Sequence, residues 1–225
     1  MRRNRGWTAK WSWFLVLFLV FTVIGQVYSS KRFTLDQDIL QKVEQKYGRG
    51  AVRRLHNWEQ LIAGDSSGGD MEKLKKVNDF FNKNQFVRDS LLWKQEDYWA
   101  TPIEFLAIDA GDCEDFSIAK YFTLRAIGVA EKKLFLTYVK ALELNEAHMV
   151  LAYYEQPNSV PLILDNINPV IKPATKRKDL LPVYRFNGSS LWLAKQRGGG
   201  KYVGDSQSRL KRWRNVLSRM PDSLK

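Results

Sequence analysis

Leu35, Ile39, Leu40, Val43 and Tyr47 recur at steps of three and four, which predicts an amphipathic helix from Asp36 to Tyr47 that stops at Gly48. A second helical pattern runs from Ala51 to Ala63 and carries His56, which reads as a structural or surface residue. It ends in Gly64-Asp65-Ser66-Ser67-Gly68-Gly69, a connector without the Lys-Ser/Thr ending of a phosphate-binding loop. Met71 to Asn84 repeats the pattern with Leu74, Val77, Phe80 and Phe81. From Leu134 the apolar period shortens to two. Leu134–Val139, His148–Tyr154, Pro161–Asp165, Leu181–Phe186 and Ser190–Leu193 read as strands rich in β-branched and aromatic residues. A last amphipathic helix follows, with Leu210, Trp213, Val216, Leu217 and Met220 on one face.

Helices first and an antiparallel sheet afterwards predict an α+β fold over residues 30–225. Its helical part covers residues 30–98, and a further helix with the sheet covers residues 99–220. The opening segment follows a different rule. Arg2, Arg3, Arg5 and Lys10 precede an apolar run from Trp11 to Val27, and the chain turns polar at Tyr28-Ser29-Ser30-Lys31. Basic, then apolar, then small is the order of a secretory signal peptide, here residues 1–29, with Val27 and Ser29 at the cleavage positions. An uncleaved anchor is the alternative, since about 17 apolar residues lie at the lower limit for a membrane span. Both place the rest of the chain outside the cytoplasm, because the positive flank stays inside.

Composition sharpens this picture in one place and blunts it in another. The chain of 225 residues carries 36 Lys+Arg against 24 Asp+Glu, a net charge of +12. Without the four basic residues of the leader the charge falls to about +8. No nucleic-acid motif accompanies it, and export removes most nucleic-acid partners. The late basic run Lys172, Lys176, Arg177 and Lys178 and the basic last helix leave an acidic protein partner or a membrane surface open. The single cysteine, Cys113, excludes an intramolecular disulfide, a Cys-rich zinc site and an iron–sulfur cluster. An unpaired thiol in an oxidising compartment is a candidate for reactivity.

Its neighbours support that. Gly111-Asp112-Cys113-Glu114-Asp115-Phe116 opens a helix whose Phe116, Ala119, Phe122, Ala126 and Ile127 form an apolar side, closed by Gly128. Asp112 is a good N-cap and Asp115 stands at the third helical position, so Cys113 falls in the first turn. There the dipole favours thiolate, and free backbone N–H groups offer part of an oxyanion hole. His148 heads one predicted strand, and Asp165 ends the next. A hairpin pairing Tyr153 with Val160 places His148 opposite Asp165, within side-chain reach. The expected roles are Cys113 as nucleophile, His148 as general base and then acid, and Asp165 as the residue that orients the imidazole. Asp112, Glu114 and Asp115 oppose a thiolate. A bound Ca²⁺, suited to hard oxygen ligands, would neutralise them, although EF-hand spacing is absent.

Trp99-Ala-Thr-Pro-Ile-Glu-Phe105, Gly111-Asp-Cys-Glu-Asp-Phe-Ser-Ile-Ala-Lys-Tyr121, Ala147-His148-Met-Val-Leu and Leu164-Asp165-Asn166 together resemble the bacterial transglutaminase-like cysteine proteinases. Within that family the chain is similar to periplasmic proteases that release large biofilm adhesins. The likeness spans about Phe33 to Arg185. It implies a papain/transglutaminase-like fold, a triad falling on Cys113, His148 and Asp165, and calcium held by Asp112, Glu114 and Asp115. It also implies a periplasmic location and, as substrate, the N-terminal retention region of a large adhesin, cut between small residues. The implied regulatory partner is the periplasmic domain of an inner-membrane receptor for cyclic di-GMP. Two other readings stand beside it: an acyl transferase using the same triad with an amine acceptor, and a non-enzymatic basic binding protein.

Overall fold

The computed structural model describes residues 33–64, 68–194 and 200–224; the predicted leader lies outside them. Three helices come first: α1 (Gln37–Tyr47), α2 (Arg49–Gly64) and α3 (Asp70–Phe81). Each turns its apolar stripe inward, burying Leu40 and Val43, then Leu55, Trp58 and Ile62, then Leu74, Val77 and Phe81. The third ends at Phe81, short of the predicted Asn84, because Asn82 caps it and Asn84 bonds back to the Phe81 carbonyl.

The next stretch sets the entrance to the cysteine. It comprises β1 (Gln85–Phe86), α4 (Asp89–Leu92), α5 (Pro102–Ile108) and β2 (Ala110–Gly111). A capping box between Thr101 and Glu104, with Pro102 at the first position, starts α5. Asp109, at φ 67, ends it, and Arg54 of α2 closes its last carbonyls at 2.6 Å to Leu106 and 2.6 Å to Ala107. β2 pairs in parallel with β1, with Phe86 opposite Gly111. The chain then enters α6 (Cys113–Ala126) directly.

Residues 115–124 of α6 are all buried, so this helix has no solvent face. Its polar members are therefore partnered: Thr123 accepts from the Trp58 indole at 2.8 Å, and Ser117 donates to the Met149 carbonyl at 3.0 Å. The sheet beside it comprises β3 (Leu134–Ala141), β4 (Glu146–Tyr153), β5 (Leu162–Leu164), β6 (Lys172–Pro173), β7 (Leu180–Phe186), β8 (Ser190–Leu193) and β9 (Lys201–Asp205). All of its pairings are antiparallel, in the order β6-β5-β4-β3-β7-β8-β9. Alternation divides β4: Met149, Leu151 and Tyr153 join the main core, while Val150 and Ala152 form a smaller cluster with Val139 and Ile163.

Helices α7 (Ser206–Arg209) and α8 (Lys211–Arg219) close the chain, and Trp213 of α8 stacks on Phe122 of α6 at 5.5 Å. Helices packed on an antiparallel sheet are the predicted α+β fold. Among the described residues no helix is long and apolar enough to cross a membrane.

The β4–β5 hairpin departs from the expected register. Tyr153 pairs with Leu162 and Leu151 with Leu164, so the hairpin register lies two residues from the Tyr153–Val160 pairing. Position 165 then falls beside Val150 rather than directly opposite His148. The reason is the connection, which keeps residues 154–161 outside the ladder. An even shift leaves every side chain on its intended face.

Candidate active site

Cys113 is the first residue of α6 and is half-buried. Gly111 makes that turn possible. A Cβ built there would lie 2.5 Å from Asp115 Oδ2 and 2.6 Å from the Phe105 ring. Asp115 is fully buried and ties the turn to its surroundings, accepting the Ala100 N–H at 2.7 Å and the Asp112 N–H at 3.3 Å.

β5 covers β4 only from Leu151 onward, so the β4 backbone at Met149 faces an open edge. The start of α6 fills that edge. The Met149 carbonyl takes the Ser117 hydroxyl, and the Met149 backbone lies near enough to the Cys113 sulfur to favour its thiolate slightly. The residue immediately before Met149 is His148. The structure thus brings the helix-start cysteine to the backbone beside the strand histidine.

His148 and Asp165 are both buried, and His148 Nε2 lies 2.8 Å from Asp165 Oδ1. Asp165 Oδ1 also accepts the Ile167 N–H at 3.0 Å, and Arg177 Nη2 donates to Oδ2 at 2.7 Å. Burial alone would raise this carboxyl, but the bonds from His148 and Arg177 hold it down at about 2. The Asp165 carbonyl accepts from Asn82 at 2.9 Å and from Lys120 at 3.1 Å. Lys120 is itself buried, and that burial lowers its ammonium to about 7.

The acidic cluster has an opposite character. Burial, with Glu114 and Asp112 beside it, pushes the Cys113 thiol well above its ordinary value, and the thiol donates to Glu114 Oε2 at 2.8 Å. Burial likewise pushes Asp112 up to about 8 and Asp89 up to about 7, and raises Asp115 strongly. Asp89 opens α4, and its Oδ2 accepts the Tyr98 N–H. Oxygens of Asp89, Asp112 and Asp115 can lie within 4.8 Å of one another, as can atoms of Asp112, Cys113 and Glu114. Asp112 Oδ1 and Asp89 Oδ1 are buried without a hydrogen-bond partner among the described residues. A hard divalent cation fits this donor set, since it would satisfy both orphaned oxygens and offset the crowded charge.

Of the predicted residues, Cys113, Asp112, Glu114 and Asp115 share the first turn of α6, and His148 meets Asp165. Two residues escaped the sequence reading as members of the site. Asp89 stands in a separate segment with no motif around it. Arg177 enters the sequence reading only as part of a basic run open to an acidic partner or a membrane surface, yet it is buried. His56 pairs with Glu59 at the surface, 2.6 Å away, and stands apart from the cysteine's helix.

Comparison with known proteins gives a consistent picture. Residues 59–182 match the family of bacterial transglutaminase-like cysteine proteinases. LapG of Legionella pneumophila is 42% identical over 83% of this chain and 98% of its own, with a TM-score of 0.71. Its EGTA-treated form is 43% identical over 83% of this chain and 98% of its own, with a TM-score of 0.72. Its calcium-bound form is 41% identical over 83% of this chain and 100% of its own, with a TM-score of 0.71. Comparison with curated proteins finds no match. The family match over more than half of the chain and the shared α+β architecture lead to one assignment: this chain belongs to the bacterial transglutaminase-like cysteine proteinases and is a cysteine protease of the LapG type.

Proposed function

We propose that this protease is a calcium-dependent periplasmic endopeptidase that cleaves the N-terminal region of a large surface adhesin and so releases it from the cell. The observation that carries the reading is the contact of His148 Nε2 with Asp165 Oδ1 at 2.8 Å, on the residue before Met149, whose backbone meets the helix that Cys113 opens. Asp165 occupies Nε2, which leaves Nδ1 to serve the thiol. Cys113 gives its proton to His148 and attacks the scissile carbonyl. Free N–H groups in the first turn of α6 receive the developing oxyanion. His148 returns the proton to the leaving amine, and a water activated by the same imidazole then hydrolyses the thioester.

Asp112, Glu114, Asp115 and Asp89 are the residues that would hold calcium. When bound, the cation supplies positive charge that offsets the carboxylates now favouring the protonated thiol. Support comes from the orphaned oxygens of Asp112 and Asp89 and from the calcium-bound form of the similar LapG. The adhesin substrate, the release of biofilm cells and restraint by the periplasmic domain of a cyclic di-GMP receptor rest on the same likeness.

Incubation of the purified protein with the N-terminal fragment of an adhesin from the same organism tests the reading. Cleavage in calcium and its loss in EGTA are expected. Cleavage that persists in EGTA would remove calcium from the account. Incorporation of a labelled amine in place of hydrolysis would move the assignment to acyl transfer.

A further inference from the structure

The proposed triad stops at Asp165, but the structure does not. Arg177 follows the short turn Ala174–Lys176 between β6 and β7, and only 4% of its surface is exposed. Its Nη2 donates to Asp165 Oδ2 at 2.7 Å and to Asp179 Oδ2 at 2.7 Å, and its Nε donates to Asp179 Oδ1 at 3.0 Å and Oδ2 at 3.1 Å. The two oxygens of Asp165 are therefore divided: Oδ1 serves His148 and the Ile167 N–H, and Oδ2 serves Arg177.

A carboxylate bound through one oxygen can still turn about its terminal torsion, which is broad for Asp. A planar guanidinium bound to the other oxygen removes that freedom, and an ammonium, as a point charge, does so less well. Stability is a poor explanation for such a pair. Replacing a buried ion pair by apolar side chains of the same volume is often neutral or stabilising, so the pair by itself is weak evidence for a purely stabilising role. The main-chain carbonyl of Asp165 is fixed too, by Asn82 and Lys120.

We propose that Arg177 is a positioning residue of the hydrolytic machinery: held by Asp179, it sets the plane of the Asp165 carboxylate so that Oδ1 meets His148. The inference rests on the Cys–His–Asp reading above. Arg177 also lines a cavity of about 780 Å³, together with Val139, Val150, Ala152 and Ile163 on the sheet face of the smaller cluster. A small cation can therefore reach the space that a truncated side chain would leave.

The experiment measures alkylation of Cys113, the only cysteine, by iodoacetamide in calcium-containing buffer, read as intact protein mass. Arg177→Ala is expected to slow labelling by about 10- to 100-fold, the range lost when a residue that orients a functional side chain at one remove, as behind a metal-bound histidine, is removed. Guanidinium chloride at a non-denaturing concentration restores at least half of that loss in Arg177→Ala and leaves the wild type unchanged. Asp165→Asn slows labelling similarly, and adding Arg177→Ala to it costs little more, because the arginine acts through the aspartate. Labelling of Arg177→Ala at the wild-type rate, while Asp165→Asn is slow, overturns the proposal. So does a full additional loss in the double variant, or an absence of guanidinium rescue. Wild-type labelling of Asp165→Asn would instead overturn the triad reading itself. If Arg177→Ala does not fold, Arg177→Lys carries the test: slowed labelling with an unchanged circular-dichroism spectrum supports the proposal, and an unchanged rate defeats it.

Discussion

His148 Nε2 and Asp165 Oδ1 lie 2.8 Å apart although the two residues are not cross-strand partners. The β4–β5 ladder ends at the Leu151–Leu164 pair, so Asp165 is the first residue beyond it and reaches His148 diagonally. That position frees the Asp165 backbone to bond Asn82 and Lys120 and its second carboxylate oxygen to bond Arg177.

From this contact, Asp165→Ala is expected to lower kcat by about 100-fold or more with little change in KM. The imidazole keeps its place on β4 but loses the partner that sets its tautomer. Steady-state cleavage assays of the folded variant check this. A loss confined to KM would assign Asp165 to substrate binding instead.

The same aspartate makes stability depend on acid. Its carboxyl sits at about 2 in the folded protein against an ordinary 3.8, so its contribution is fully present above about pH 4 and disappears as pH falls through about 2. The difference corresponds to about 2 kcal/mol. Urea unfolding between pH 2 and pH 6 is expected to show this fall in the wild type and a smaller one in Asp165→Asn.

The acidic turn predicts an opposite pattern for calcium. Calcium raises the melting temperature of the wild type, and EGTA reverses the shift. Asp112→Asn abolishes the response but, in EGTA near neutral pH, melts no lower than the wild type, because burial already holds the Asp112 carboxyl largely protonated and the amide replaces one neutral group with another. Differential scanning calorimetry with and without calcium reads both effects.

Gly111→Ala tests how the cysteine is carried. The added methyl would meet Asp115 Oδ2 at 2.5 Å, Phe105 Cδ2 at 2.6 Å and Asp115 Cβ at 2.8 Å, all in tightly packed surroundings. A cost of about 1–3 kcal/mol is expected, together with loss of activity as the first turn of α6 shifts. Denaturant midpoints and cleavage rates measure the two losses separately.

Much of the architecture was legible because burial imposes a period. The long strands β3 and β4 and the three first helices each carry an apolar face that must be buried, and their places along the chain, though not their end residues, follow from it. Helix α5, started by the capping box of Thr101 and Glu104 with Pro102, went unpredicted because apolar period passes over so short a helix. The strand Lys201–Asp205 is short and interrupted by Gly204, so it left almost no pattern. The β4–β5 register slipped by two because a hairpin argument assumes a tight turn, and residues 154–161 do not make one. Cys113, His148 and Asp165 stood out by residue type at the ends of elements. Arg177 could not, because nothing local separates one buried arginine from the lysines around it.

The central claim is that Cys113 forms a covalent acyl-enzyme on the way to peptide hydrolysis. Acid quenching during turnover of the adhesin fragment, followed by intact-mass measurement, tests it most directly. The account predicts a transient adduct on Cys113 that adds the mass of the N-terminal cleavage product less one water, and no cleavage by Cys113→Ala. Cleavage by Cys113→Ala at the wild-type rate would contradict it.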